Sequence, residues 1–164
     1  MLGSVLLALT LATNISGGDS IVGPIHLGER VVDVQKELGP GWRGPVVDSL
    51  GNKSMALVYT DGVDQLQVWI QSDPDLGETV DGIVARENRP EGCSFAHRTV
   101  LRSWRWAGGT IFEMPRELAG WKVMLFSPPR RDDGQIASYE HPDGWVVWFT
   151  RNAWGGVDSH TFAD

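Results

Sequence analysis

The chain contains a single cysteine, Cys93, among its 164 residues. One thiol cannot form an intramolecular disulfide, so the fold depends on its core alone. A zinc site needs three or four ligands, and the sequence has neither a second cysteine nor a paired-histidine motif. We therefore predict no metal and no cofactor.

Positive charge is scarce in the first half of the chain. Residues 1–82 contain four Lys or Arg against eleven Asp or Glu, whereas residues 83–164 contain ten of each, and the net charge is −7. This balance argues against a nucleic acid or an anionic membrane as the main partner. A basic protein partner, such as a toxin or an enzyme, is favoured instead.

The chain has no hydrophobic run long enough to cross a bilayer. An apolar run at residues 5–12 is typical of the core of a signal peptide, and Thr10-Leu11-Ala12 offers small residues for cleavage. However, no Lys or Arg precedes Arg30. We predict that residues 1–20 form an N-terminal strand or helix of a cytoplasmic protein. The alternative is a secreted protein that loses residues 1–12.

The clearest element present is a helix. Apolar residues at Leu27, Val31, Val34 and Leu38 recur at the spacing of one helical face. The pair Gly39-Pro40 then supplies a C-terminal cap and a stop. The spacing predicts a helix over residues 29–38 with this face buried.

The remaining pattern predicts a second helix among strands. Residues 96–107 suit a helix that ends at Gly108-Gly109, with a Gly-Gly hairpin as the alternative. Strands are expected at residues 55–60, 65–71, 83–84, 110–114, 121–126, 136–141 and 145–150. The sequence thus predicts an α+β domain over residues 21–151, with helices packed on an antiparallel β-sheet, and a loosely ordered tail over residues 152–164.

Two segments echo each other. Tyr59 and Trp69 flank an Asp-Gly turn, as do Tyr139 and Trp148. The echo suggests two similar α–β halves, residues 21–90 and 91–151.

Several residue groups are candidates for chemistry. Cys93 and His97 have the spacing of a nucleophile and a base, although isolated pairs of this kind are usually structural. Glu29, Asp33 and Glu37 share one helix face, which the amphipathic pattern assigns to solvent. Neither group is predicted to form a functional site.

A basic stripe at Arg98, Arg102 and Arg105 adjoins Trp104 and Trp106, a combination that binds single-stranded nucleic acid in other proteins. The acidic chain favours a solvated or internally paired stripe. The sequence also lacks a phosphate-binding loop, a dinucleotide glycine fingerprint and a Gly-x-Ser-x-Gly elbow. We predict that the protein is not an enzyme, and an unrecognised hydrolase that uses Cys93 and His97 is the least favoured alternative.

The stretch of residues 23–28, followed by Val31, Val34 and Leu38-Gly39, resembles a recurrent bacterial pattern. It is similar to segments of beta-lactamase-inhibitory-protein-like folds, of small outer-membrane-assembly lipoproteins and of small actinobacterial immunity-type proteins. This chain has Glu29-Arg30 after the glycine and no lipobox cysteine. The resemblance implies a helix packed on an antiparallel sheet and a protein-binding role.

We therefore predict an inhibitor or immunity protein that masks a partner toxin or enzyme. The alternative is a secreted or envelope-associated structural protein. The partner is expected to bind aromatic anchors rimmed by charge, because such residues dominate protein interfaces. The predicted partner-binding residues are Tyr59, Asp61, Asp64, Trp69, Tyr139 and Trp148. Trp69 lies among glutamines on its strand, and the alternative is that another segment covers it.

Overall fold

A computed structural model describes residues 21–48, 50–126 and 134–163 of the chain. The predicted N-terminal segment, residues 1–20, lies outside the described residues. Within the described part, the chain forms one α-helix, one short 3₁₀ helix and thirteen strands.

The elements follow one another in two strand-rich stretches. The first comprises β1 (Ile21–Val22), β2 (Ile25–His26), α1 (Val31–Leu38), β3 (Trp42–Val47), β4 (Lys53–Thr60), β5 (Gln65–Asp73) and β6 (Gly77–Arg86). The second comprises β7 (Cys93–Ser94), the 3₁₀ helix (Leu101–Ser103), β8 (Arg105–Trp106), β9 (Gly109–Thr110), β10 (Lys122–Phe126), β11 (Gln135–Glu140), β12 (Val146–Arg151) and β13 (Val157–Phe162).

The main sheet joins two four-stranded meanders. Its strands run in the order β10-β11-β12-β13-β6-β5-β4-β3, every neighbouring pair is antiparallel, and β7 adds a short parallel pairing to β4. Strands β6 and β13, the last of each meander, pair at the centre. Tyr59 and Trp69 lie on β4 and β5, and Tyr139 and Trp148 lie on β11 and β12. These strand pairs are the second and third strands of the two meanders, so the repeated residues occupy corresponding hairpins.

The predicted first helix is confirmed, although it begins at Val31 rather than at residue 29, and Leu27 lies before it and is half-buried. Helix α1 buries Val31, Val34 and Leu38, and the N–H of Gly39 donates to the carbonyl oxygen of Gln35 at 3.0 Å. Gly39 has a φ of 98°, a conformation that favours glycine. The spacing of apolar residues was therefore a reliable guide to this element.

The predicted α+β class is wrong, because the second helix is absent from the described residues. Residues 96–107 contain only the 3₁₀ turn and strand β8, which pairs with β9 through a hairpin at Ala107-Gly108. Trp104 and Trp106 both pack against the main core. Two residues apart, they would lie about 200° apart around a helix, whereas an extended chain directs both to one side. A hairpin forms here, as the alternative expected, but its turn is Ala107-Gly108 and Gly109 already belongs to β9. The fold is mostly β.

The predicted loose tail is also wrong. Strand β13 lies between β6 and β12 at the centre of the sheet. Its polar residues Asp158, Ser159 and Thr161 are buried. The sequence pattern did not predict this strand because its buried residues are polar. They are buried by the two flanking strands, and the charge of Asp158 is paired.

One face of the main sheet is covered. Helix α1, the β1–β2 hairpin and residues 95–121 pack on it and form the main core with Leu57, Val68, Ile83, Val147 and Phe149. The opposite face, called the open face below, has a smaller cluster of Ala56, Trp69 and Val84, with Val46, Val58 and Phe162 against it. Among the described residues, no helix is long and apolar enough to cross a membrane.

Candidate binding site on the open face

The open face contains a groove with a volume of about 960 Å³. Its lining extends from β3 to Gln135 of β11, six strands apart in the sheet. At about 4.8 Å per strand, six strand spacings correspond to about 29 Å, so the groove runs across most of the sheet. Bulges interrupt the β5–β6, β10–β11 and β11–β12 pairings and increase the local twist of these strands.

Aromatic side chains form the floor of the groove. Phe162 leans over Gly82, where an added Cβ would lie 2.1 Å from the ring. Trp69 meets Phe162 edge to face at 5.1 Å between ring centroids. Trp148 stacks on Phe162 at 5.3 Å and on His160 at 5.1 Å. Glycine at position 82 leaves room for the Phe162 ring, which contacts both Trp69 of β5 and Trp148 of β12.

Several polar groups of the groove already have hydrogen-bond partners within the protein. The Nε of Arg86 donates to Asp158 at 3.0 Å, and Asn152 donates to the same carboxylate at 2.9 Å. The indole N–H of Trp69 donates to Gln67 at 3.0 Å. These contacts fix the side chains before any ligand arrives, which reduces the entropy lost on binding.

His160 is uncharged near neutral pH. Burial lowers its pKa to about 4, with Asp158 acting in the opposite direction and Arg86 in the same direction as burial. Its Nε2 lies 3.2 Å from the Thr150 hydroxyl. The groove therefore contains three carboxylates, Asp48, Asp81 and Asp158, against one cation, Arg86.

The lowered pKa of His160 predicts a loss of stability in mild acid. The folded-state pKa lies below the ordinary value of 6.5, so protonation favours the unfolded chain. Stability is unaffected above about pH 7 and falls as the pH drops from about 6.5 towards 4. We expect a loss of about 2 kcal/mol between pH 7 and pH 5 from this residue.

Urea unfolding of the wild type and of His160→Gln at both pH values measures this loss. The glutamine variant removes the titrating group and retains a polar side chain beside Thr150. Carboxylates make the same contribution to the pH dependence of both proteins. The difference between the two proteins in the change of unfolding free energy from pH 7 to pH 5 therefore gives the contribution of His160. Equal slopes would contradict the prediction.

The structure brings together two of the six predicted partner-binding residues. Trp69 and Trp148 both line the groove. Trp148 is half-buried, but Trp69 is only 8% exposed and belongs to the cluster beneath the groove. The expectation that Trp69 is an exposed anchor is wrong, because Phe162 and its neighbours cover it.

The two predicted tyrosines lie on the covered face. Tyr59 is buried, stacks on Phe95 at 5.2 Å and donates its hydroxyl to the carbonyl oxygen of Gly39 at 2.9 Å. Tyr139 is buried and donates to the carbonyl oxygen of Pro115 at 2.6 Å. Burial raises the pKa of Tyr139 to about 12. Both tyrosines are core residues and cannot share a patch with the tryptophans.

The two predicted aspartates tie the β4–β5 hairpin to the chain that covers the sheet. Asp61 accepts from the backbone N–H of Leu101 at 2.8 Å. Asp64 is buried and accepts from Arg102 at 2.8 Å and from the N–H of Asn88 at 2.8 Å. Their carboxylates are occupied by structural contacts and are not part of the groove.

The other candidate groups lie apart from the groove. Cys93 is half-buried, His97 is exposed, and no hydrogen bond joins them in the part of the chain that the structure describes. Asp33 is paired with Arg30 at 3.0 Å and with Lys36 at 2.7 Å, which lowers its pKa. No group of three or more potential metal ligands occurs within residues 21–48, 50–126 and 134–163.

Sequence reasoning missed most of the groove. The signal was present in the alternation of Asp158, His160 and Phe162 on β13, which places all three on one side of a strand. The aromatic residue opposite a glycine, Phe162 against Gly82, was a second signal. No family model matches the chain, and no curated protein or solved structure is significantly similar to it.

Proposed function

We propose that this protein binds another protein in the groove of its open face and acts as a non-enzymatic inhibitor or immunity protein. The observation that carries the proposal is the groove itself, in which Trp148 and Phe162 remain partly exposed among the described residues. The covered face already has a complete core, so the aromatic floor is not needed to close the main core.

The composition of the groove supports an interface. Tryptophan and arginine dominate the binding energy of protein interfaces, and Trp148 and Arg86 both line this groove. Polar residues, among them Gln67, Ser54 and Thr150, line the same groove. Aromatic and polar side chains together are usual in a protein-binding surface.

Two titratable groups of the groove, His160 and Asp158, are poorly suited to general-base catalysis. His160 is a weak base at neutral pH because its pKa is lowered to about 4. The Asp158 carboxylate is held by Arg86 and Asn152. A general base works best with a pKa near the working pH and a free hydrogen-bonding site, and neither residue has both.

We expect Trp148→Ala to weaken partner binding by about 2 kcal/mol or more, because a half-buried tryptophan at the centre of an interface acts as an anchor. Tagged wild type and Trp148→Ala are used to recover binding proteins from the native host, with quantification by mass spectrometry. The affinity of each recovered protein is then measured by calorimetry.

Phe126→Ala is the matched control. Phe126 is a 42% exposed aromatic residue on edge strand β10, packs beside Arg116, and does not line the groove. The proposal expects a protein that the wild type and Phe126→Ala retain and that Trp148→Ala loses. Equal recovery with all three baits, or no stoichiometric partner at all, would overturn it.

A further inference from the structure

The charge of the groove points to the chemistry of what it binds. With His160 uncharged, the lining carries three carboxylates and one guanidinium, a net charge of −2 near neutral pH. Arg86 neutralises Asp158 within the groove at 3.0 Å. Asp48 closes the β3–β4 turn by accepting from the N–H of Leu50 and of Asn52 at 2.8 Å. Asp81 is the carboxylate that remains.

Asp81 occupies the bulge of strand β6. Trp69 pairs with Gly82 and Ile70 pairs with Val80, so Asp81 is the extra residue between them. A bulge redirects a side chain that a regular strand would point elsewhere. Asp81 is half-buried and lines the groove, and no cation or hydrogen-bond donor meets its carboxylate among the described residues.

Aromatic rings share the groove with this carboxylate. Asp81 directly precedes Gly82, over which Phe162 lies, and Trp69 and Trp148 both contact that phenyl ring. An aromatic ring attracts a cation, most strongly when water is excluded, and a carboxylate adds a charged hydrogen bond. An unpaired carboxylate that lines the same groove as three aromatic rings therefore suits a cationic group with an apolar stem.

We propose that the partner inserts an arginine or lysine side chain into the groove, with its charge at Asp81 and its methylene stem on the aromatic floor. This inference rests on the proposed function, since it names what the protein partner supplies. The net charge of the whole chain is −7, which likewise favours a basic partner.

Four blocked tripeptides test the proposal directly. They have the form acetyl-Gly-X-Gly-amide, where X is arginine, lysine, citrulline or leucine. Citrulline has nearly the shape of arginine without its charge, and leucine reports purely apolar occupancy. Binding is followed by the indole N–H signals of Trp69 and Trp148 in two-dimensional NMR of the full-length protein.

We expect the arginine or the lysine peptide to shift these signals saturably, and citrulline and leucine to bind at least about tenfold more weakly. Raising the salt concentration to 0.5 M should weaken the charged peptide several-fold. Equal binding of citrulline, preferential binding of leucine, or no saturable shift with either charged peptide would overturn the proposal.

Asp81→Asn should weaken the charged peptide about tenfold. Asp75→Asn is the control, because it removes the same charge from an exposed turn outside the groove. If Trp148→Ala loses the partner while Asp81→Asn keeps it, the proposed function stands and the proposed contact of a cationic side chain with Asp81 is wrong. If the peptides bind and no host protein is recovered, the groove binds cationic side chains but the proposed function fails.

Discussion

Val34→Asp abolishes folding of the chain, or lowers its free energy of unfolding by about 4 kcal/mol or more. Val34 lies at the centre of the buried face of α1 and is 1% exposed. An aspartate there would place a charge among apolar neighbours with no cation to pair with it. Circular dichroism and urea unfolding measure the effect.

Val32→Asp is the matched control on the same helix. Val32 is 52% exposed, and aspartate near a helix N-terminus is electrostatically favourable. This variant should change the free energy of unfolding by less than about 0.5 kcal/mol. A Val34→Asp protein that melts like the wild type would show that α1 does not seal the covered face.

Arg102→Ala lowers the free energy of unfolding by about 3 kcal/mol, because it leaves a buried carboxylate without its cation. The Asp64 side chain is 1% exposed, and Arg102 contacts it at 2.8 Å through Nε and at 3.2 Å through a terminal nitrogen. The N–H of Asn88 then remains as a donor to the uncompensated charge. Urea unfolding at pH 7 measures the loss.

Two comparisons test the cause of that loss. Lys36→Ala breaks an exposed ion pair with Asp33 and should cost no more than about 0.5 kcal/mol. Adding Asp64→Asn to Arg102→Ala removes the buried charge and should restore part of the lost stability. A loss for Arg102→Ala as small as that for Lys36→Ala would mean that water stabilises Asp64 and that the pair does not hold the hairpin.

Local periodicity was sufficient for some elements of the fold. The spacing of Val31, Val34 and Leu38 located α1, and the alternation of residues 65–71 located β5. Both signals arise from burial of one side of a single element. Strand β3 was missed because it contains Gly44 and Pro45, and proline is tolerated there only because β3 is an edge strand.

The aromatic residues show what local sequence patterns do not predict, namely which face of the sheet is covered. Tyr59 and Trp69 flank one turn, as Tyr139 and Trp148 flank another, and in each pair the tyrosine lies on the covered face and the tryptophan on the open face. Which face of a sheet is covered depends on segments distant in sequence. Here α1 and residues 95–121 cover the tyrosines.

The sequence by itself determined the first helix, the hairpins around the Asp-Gly turns and the acidic character of the chain. These features depend on neighbouring residues or on composition, so a single sequence shows them. The tertiary structure decided that β13 is central and that β6 pairs with it, which brings Phe162 beside Trp69. Pairing between residues about 75 positions apart leaves no local pattern, because its free energy comes from contacts that exist only in the folded sheet.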